Sequence, residues 1–134
     1  MIVFDTSAVV DFLRGGSETK SLVESLERSG DAVAVTTVSL FELLTPIQHR
    51  RLLKEEKAVK AFARRTILLG LDSNSATEAS KIMGALLRMG KPINALDTLI
   101  SGIAVSNGAD KIITSDRDLD QVAKVANIKI QFID

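Results

Sequence analysis

Four carboxylates stand where an acid has chemistry open to it: Asp5, Glu42, Asp97 and Asp116. Asp5 ends an apolar run, Ile2-Val3-Phe4, and Asp116 lies just past a second one at residues 111–114. Glu42 and Asp97 each follow by three residues a side chain able to cap a helix, Ser39 and Asn94, which puts both in a first helical turn. Strand carboxyl ends and helix N-termini can share one edge of a parallel α/β sheet, the edge where ligands bind. Each acid also has a purely structural use. Asp5 can cap the helix after it, Glu42 and Asp97 fit capping patterns, and Asp116 complements a helix dipole. Asp118 makes a capping box with Ser115.

Four carboxylates packed without a counter-charge repel, and a proton or a cation must relieve them. A donor set of Asp and Glu alone, with no Cys or His, selects a hard ion, Mg²⁺ or Mn²⁺. Such an ion lowers the pKa of bound water and braces the oxygens of an in-line displacement at phosphorus. The chemistry so implied is phosphodiester hydrolysis. His49, the sole histidine, sits among Gln48, Arg50 and Arg51 and reads as a surface residue.

The 134 residues make one domain, spanning 1–134, and a hydrophobic content of 46% provides for a core without covalent staples. Absence of Cys excludes a disulfide framework, thiol catalysis and a cysteine zinc site, and agrees with a reducing compartment. No basic leader opens the chain, and no apolar run nears the roughly 20 residues of a membrane span. The expectation is a soluble cytoplasmic domain without membrane contact. Formal net charge is zero, yet seven of the basic residues gather at positions 50–65 against only Glu55 and Glu56. That segment is a candidate phosphate contact, with Arg50, Arg51 and Lys54 at its head, or else a solvated helix face. Five Phe and no Trp or Tyr leave few bases to stack on, so any RNA contact would be mostly electrostatic.

The elements that must hold these residues alternate along the chain. After the opening strand come helices at 6–13 and 17–29, the second stopped by Gly30. A Val- and Thr-rich strand follows at 32–38, then a helix from Ser39, a break near Pro46 to Arg50, and a basic helix at about 51–65. A short apolar strand at 67–71 precedes a long helix from Ser73 or Ser75, inward at Ala76, Ala79, Ile82, Met83, Leu86 and Leu87 and closed by Gly90 and Pro92. The helix from Asn94 to Gly108 turns Leu96, Leu99, Ile100 and Ile103 inward. A stripe of Asp97, Ser101, Ala104 and Gly108 beside them invites close approach of a neighbour. A strand at 111–114, a helix from Ser115 to about Ala126, and a half-exposed edge strand at 128–133 complete the chain. Such alternation predicts an α/β fold: a three-layer α/β/α sandwich around a mostly parallel sheet.

The opening IVFDTSAVVDFLRG, then SLFELL around Glu42, then INALDTLISGIAVSNGADKIITSDRDLDQV resemble PIN-domain ribonucleases, specifically the VapC toxin type of toxin–antitoxin modules. The resemblance spans nearly the whole chain in order and spacing. It implies a PIN-like fold and a Mg²⁺- or Mn²⁺-dependent endoribonuclease, the toxin of a type II pair. The family's acidic quartet of metal-holding, catalytic residues maps onto Asp5, Glu42, Asp97 and Asp116, and its polar residue after the first acid onto Thr6. The TSDRDLD stretch also offers Asp118 and Asp120; Asp116 is nearest the strand end, and Asp118 is held in reserve. The resemblance further implies an RNA substrate, a homodimer, and a cognate antitoxin whose tail covers the acidic site. Other readings remain: a free-standing RNA-processing nuclease of the same fold, a PIN-like domain that binds RNA or a partner without cutting, and a phosphatase or receiver domain phosphorylated on Asp5. A haloacid-dehalogenase-like phosphatase would want a second acid two residues on, where this chain has Ser7, and a receiver domain would want an acidic pair before its phosphoacceptor strand.

Overall fold

A computed structural model describes residues 1–134. Its centre is β1 (Ile2–Phe4), three residues buried on both faces, as an uninterrupted apolar run requires. Four further strands flank it: β2 (Val33–Thr36), β3 (Ile67–Leu69), β4 (Lys111–Thr114) and β5 (Lys129–Phe132). All neighbouring pairs are parallel, in the order β3-β2-β1-β4-β5. The helices are α1 (Thr6–Leu13), α2 (Ser17–Ser29), α3 (Thr37–Arg50), α4 (Leu53–Arg64), α5 (Ser73–Arg88), α6 (Ala95–Ser106) and α7 (Asp120–Val125).

Strand alternation divides the core in two. Ile2 and Phe4 pack with Ala8, Val9, Val23 and Phe62, so α1, α2 and α4 cover one face. Val3 packs with Ile82, Leu86, Ile100, Ile103 and Val122, so α5, α6 and α7 cover the other. This is the three-layer sandwich, with a wholly parallel sheet. Helix α3 serves both layers, giving Val38 to one core and Leu43 to the other. It therefore lies across the carboxyl end of the sheet.

Several local expectations are corrected. Helix α3 starts at Thr37 and is capped by Thr36, whose hydroxyl accepts from Ser39 N at 3.1 Å. The Ser39–Glu42 capping box does not form, and Glu42 falls in the second turn. No break occurs at Pro46: the helix forgoes one bond there, is held by buried Ile47, and ends at Arg51, whose φ is 56°. The basic segment is therefore split between the end of α3 and α4. Asp116, not Ser115, caps a 3₁₀ turn (Arg117–Leu119) that precedes α7, and Asp118 forms no capping box. Leu87 and Ala76 point outward, because α5 buries only the narrower stripe of Ser75, Ala79, Ile82 and Leu86.

The pairing of α5 with α6 has a tight point. A Cβ on Gly102 would lie 2.6 Å from Ala79 N, Ala79 Cβ and Ser75 O. The close approach is thus made at Gly102, beside the fully buried Ser101 and Ala104, while Gly108 ends the helix with φ +69°. Because two of the obstructing atoms are backbone, neither helix can yield without moving. Gly102→Ala is expected to lower stability by about 1–3 kcal/mol, as overpacking does, in urea unfolding monitored by circular dichroism.

Candidate active site

The chain runs outward from β1 to β2 and β3, then returns to place β4 on the other side of β1. Strand order therefore reverses between β1 and β4, and a crevice opens at their carboxyl ends. Asp5 follows β1 directly and Asp116 lies two residues beyond β4. Asp5 is 3% exposed. Its Oδ1 accepts from Ser7 Oγ at 2.7 Å and from Ala8 N at 2.9 Å, and its Oδ2 accepts from the Thr114 hydroxyl. Asp5 thus caps α1 with one oxygen and turns the other toward β4. Burial raises its pKa, the hydrogen bonds from Thr114, Ser7 and Ala8 oppose the rise, and the charge of Asp116 adds to it.

Asp97 stands in the first turn of α6, but Asn94 does the capping, accepting from Leu96 N at 2.8 Å and Asp97 N at 3.4 Å. The Asp97 carboxyl is left free for other contacts. Its pKa is raised to about 6, first by burial, then by the negative charges of Asp116, Asp5 and Glu42, and by a hydrogen bond with Asp116. The other three sequence-expected acids thus lie near enough for their charges to act on Asp97. Glu42 arrives from α3 and is held by Thr6, whose hydroxyl reaches Glu42 Oε1 at 2.6 Å and Ser39 Oγ at 2.9 Å. Asp118 is not among the charges acting on Asp97; it is exposed, and its N–H donates to Asp116 Oδ1 at 2.9 Å.

The donor set is all carboxylate oxygen, which fits a hard divalent ion. As they stand, no three acids close on a single point to cage one. Asp5, Glu42 and Asp116 are each held by hydrogen bonds from the chain itself. The raised pKa of Asp97 means that a proton held there offers part of the relief that a cation would give.

Sequence reasoning missed the hydroxyls of Ser7, Ser39 and Thr114, all of which contact an acid or its holder. The available signals were a Thr closing the strand after Ile112 and Ile113, and the DTS run itself. Beyond Thr6 and Glu42 the site opens into a groove of about 340 Å³ between α1, α3 and α4, lined by Val10, Leu43, Ile47 and Val59 among others. Arg50, Arg51 and Lys54 are exposed, on the stretch of chain between the groove-lining Ile47 and Glu55. By contrast Arg65 is engaged, donating to Glu27 at 2.9 Å and lying over the Phe12 ring. Phe41, 62% exposed, is the one Phe that is not buried or half-buried, and His49 is on the surface.

The PIN domain family model matches residues 2–125. A tRNA(fMet)-specific endonuclease VapC of Shigella flexneri is 26% identical over 103 residues, covering 76% of this chain and 78% of that protein. Among solved structures, the VapBC complex of Rickettsia felis bound to a promoter DNA fragment superposes with a TM-score of 0.87 at 17% identity, over 100% of both chains. A sarcin–ricin-loop-cleaving VapC toxin of Mycobacterium tuberculosis gives 0.65 at 16% identity, over 96% of this chain and 99% of that one.

The crowding has a pH signature. Because the folded-state pKa of Asp97 is raised, the native chain holds its proton more tightly than the unfolded chain does. Metal-free protein should therefore lose stability as pH rises from about 4 to about 6, and the loss should level off above that. Thermal melts in chelator should show Tm falling across this window, with Asp97→Asn flattening the fall and raising Tm at pH 7.5.

Proposed function

The chain belongs to the PIN-domain family, and from that premise we propose that it is a Mg²⁺- or Mn²⁺-dependent endoribonuclease, the toxin of a type II toxin–antitoxin pair. One observation carries the reading: Asp97, raised to a pKa of about 6 first by burial, is raised further by the charges of three other carboxylates that the fold brings near it from separate elements. A structural role would require none of them to meet. In this reading Asp5, Glu42, Asp97 and Asp116 hold the ion through oxygen. When bound, the ion supplies an activated water and stabilises charge developing at phosphorus. The chain's own groups do the remaining work. Thr6 orients Glu42, Asn94 relieves Asp97 of capping, and Arg50, Arg51 and Lys54 attract the phosphate backbone.

Several facts support RNA as the substrate. The matched relatives are named for cleaving a tRNA and the sarcin–ricin loop, and the exposed Arg50, Arg51 and Lys54 lie in the chain between Ile47 and Glu55, which line the groove that contains Glu42. The same groove, apolar along α1, α3 and α4, offers a seat for an antitoxin segment that would end at the acids. Structural neighbours in complex with antitoxins support such a partner. The homodimer belongs to the same proposal, and exposed Ile67, Leu68 and Leu71 at the β3 edge provide apolar surface for one. No helix is long and apolar enough to cross a membrane, consistent with a cytoplasmic site of action.

Purified protein should cleave structured RNA when Mg²⁺ or Mn²⁺ is added and stop when it is chelated. Asp5→Asn keeps the shape while removing the charge, and should lower cleavage by more than about a hundredfold, since loss of even outer-shell groups costs 10–100-fold. Cleavage that persists in chelator, or in Asp5→Asn, would refute the reading. Replacing Arg50 and Arg51 by Glu should weaken RNA binding and flatten its salt dependence, by about 0.7 in the logarithmic slope for each phosphate no longer neutralised.

A further inference from the structure

The two acids that flank the β1–β4 crevice are joined by side chains that are not themselves acidic. Ser7 Oγ donates to Asp5 Oδ1 at 2.7 Å and accepts from Ser115 N at 2.9 Å. Thr114 Oγ1 donates to Asp5 Oδ2 and accepts from Asp116 N at 2.9 Å. The two hydroxyls lie 3.3 Å from each other. Each therefore bonds the carboxylate after β1 on one side and a backbone amide of the turn after β4 on the other. Thr114 is fully buried and Asp5 nearly so, which shields these bonds from competing water.

We infer that Ser7 and Thr114 are positioning residues that strap the turn carrying Asp116 to Asp5 and so set the spacing of the two acids for a divalent ion. The inference rests on the proposed metal site and adds a division of labour to it. Within a pair of like charges in a buried crevice, nothing in the acids themselves keeps them close when the ion leaves. Sheet pairing aligns β1 with β4 only as far as Phe4 and Ile113, where Asp5 N donates to Ile113 O at 3.1 Å. Ser115 and Asp116 lie beyond the last paired strand residue, so their amides need other partners. The hydroxyls supply those partners and at the same time occupy three acceptor positions on Asp5 together with Ala8 N. Asp5 is left with its remaining Oδ2 lone pair to offer an ion.

Two measurements on the same variants test this. In metal-free protein, hydrogen exchange of the Ser115 and Asp116 amides should quicken in Ser7→Ala and Thr114→Val respectively. Manganese binding, followed by the electron paramagnetic resonance of free Mn²⁺, should weaken about tenfold or more in each, the usual loss on removing an outer-shell partner. Thr114→Ser, which keeps the hydroxyl, should restore wild-type exchange and wild-type affinity. Circular dichroism should show all variants folded. Unchanged Mn²⁺ affinity in both Ser7→Ala and Thr114→Val, or failure of Thr114→Ser to differ from Thr114→Val, would overturn the strap while leaving the metal site intact. A wild-type chain that binds no Mn²⁺ would overturn both, because the strap would then have no ion to serve.

Discussion

Repulsion among four carboxylates gathered at one edge of a parallel sheet is the constraint that the rest of this molecule answers. Parallel strands bring their carboxyl ends to a common edge, and the reversal of strand order between β1 and β4 opens that edge into a crevice. Acids placed there meet whether or not a counter-ion is present. The chain meets the difficulty with hydrogen-bond donors: Ser7, Ala8 N and Thr114 for Asp5, Thr6 for Glu42, and Asp118 N for Asp116. Asp97, with no comparable donor, keeps a proton to an unusually high pH.

Placement of Asp97 is a packing problem as much as an electrostatic one. It rides on α6, which must lie close to α5 and to the sheet for the carboxyl to reach the crevice. Gly102 permits the first approach because no Cβ would fit between the helices, and buried Ile100 and Ile103 make the second. Glu42 depends in the same way on α3 crossing the carboxyl end of the sheet, where Thr36 caps it and Thr6 reaches it from α1. Rigid elements thus deliver the acids, and hydroxyls set their final orientation.

Most of the fold was legible in the sequence because its signals were local. Ile2-Val3-Phe4, too short for a helix and apolar throughout, could only be an interior strand, and Gly30 and Gly108 marked helix ends that the structure keeps. The PIN resemblance likewise agrees with the observed three layers and the family match. Helix boundaries were less legible where two caps competed: Thr36 lies three residues before Ser39, and the burial of Ser39 decided between them. Pro46 suggested a break that packing around Ile47 overrode. At the site, the acids could be named from their positions after strands and within helices. The hydroxyls that hold them could not, since Ser39 meets Thr6 across 33 residues, Thr114 meets Asp5 across 109, and Ser7, although two residues from Asp5, ties it to Ser115 N across 108.

The claim that these four acids form a cation site can be put to a proton count. Asp97 holds its proton up to about pH 6, and a divalent ion must displace that proton to bind. Titration calorimetry with Mn²⁺ at pH 6 and at pH 8, each repeated in buffers of different ionisation enthalpy, should report saturable binding with net proton release at pH 6 that shrinks at pH 8. Absence of saturable binding, or binding that releases no proton, would contradict the account.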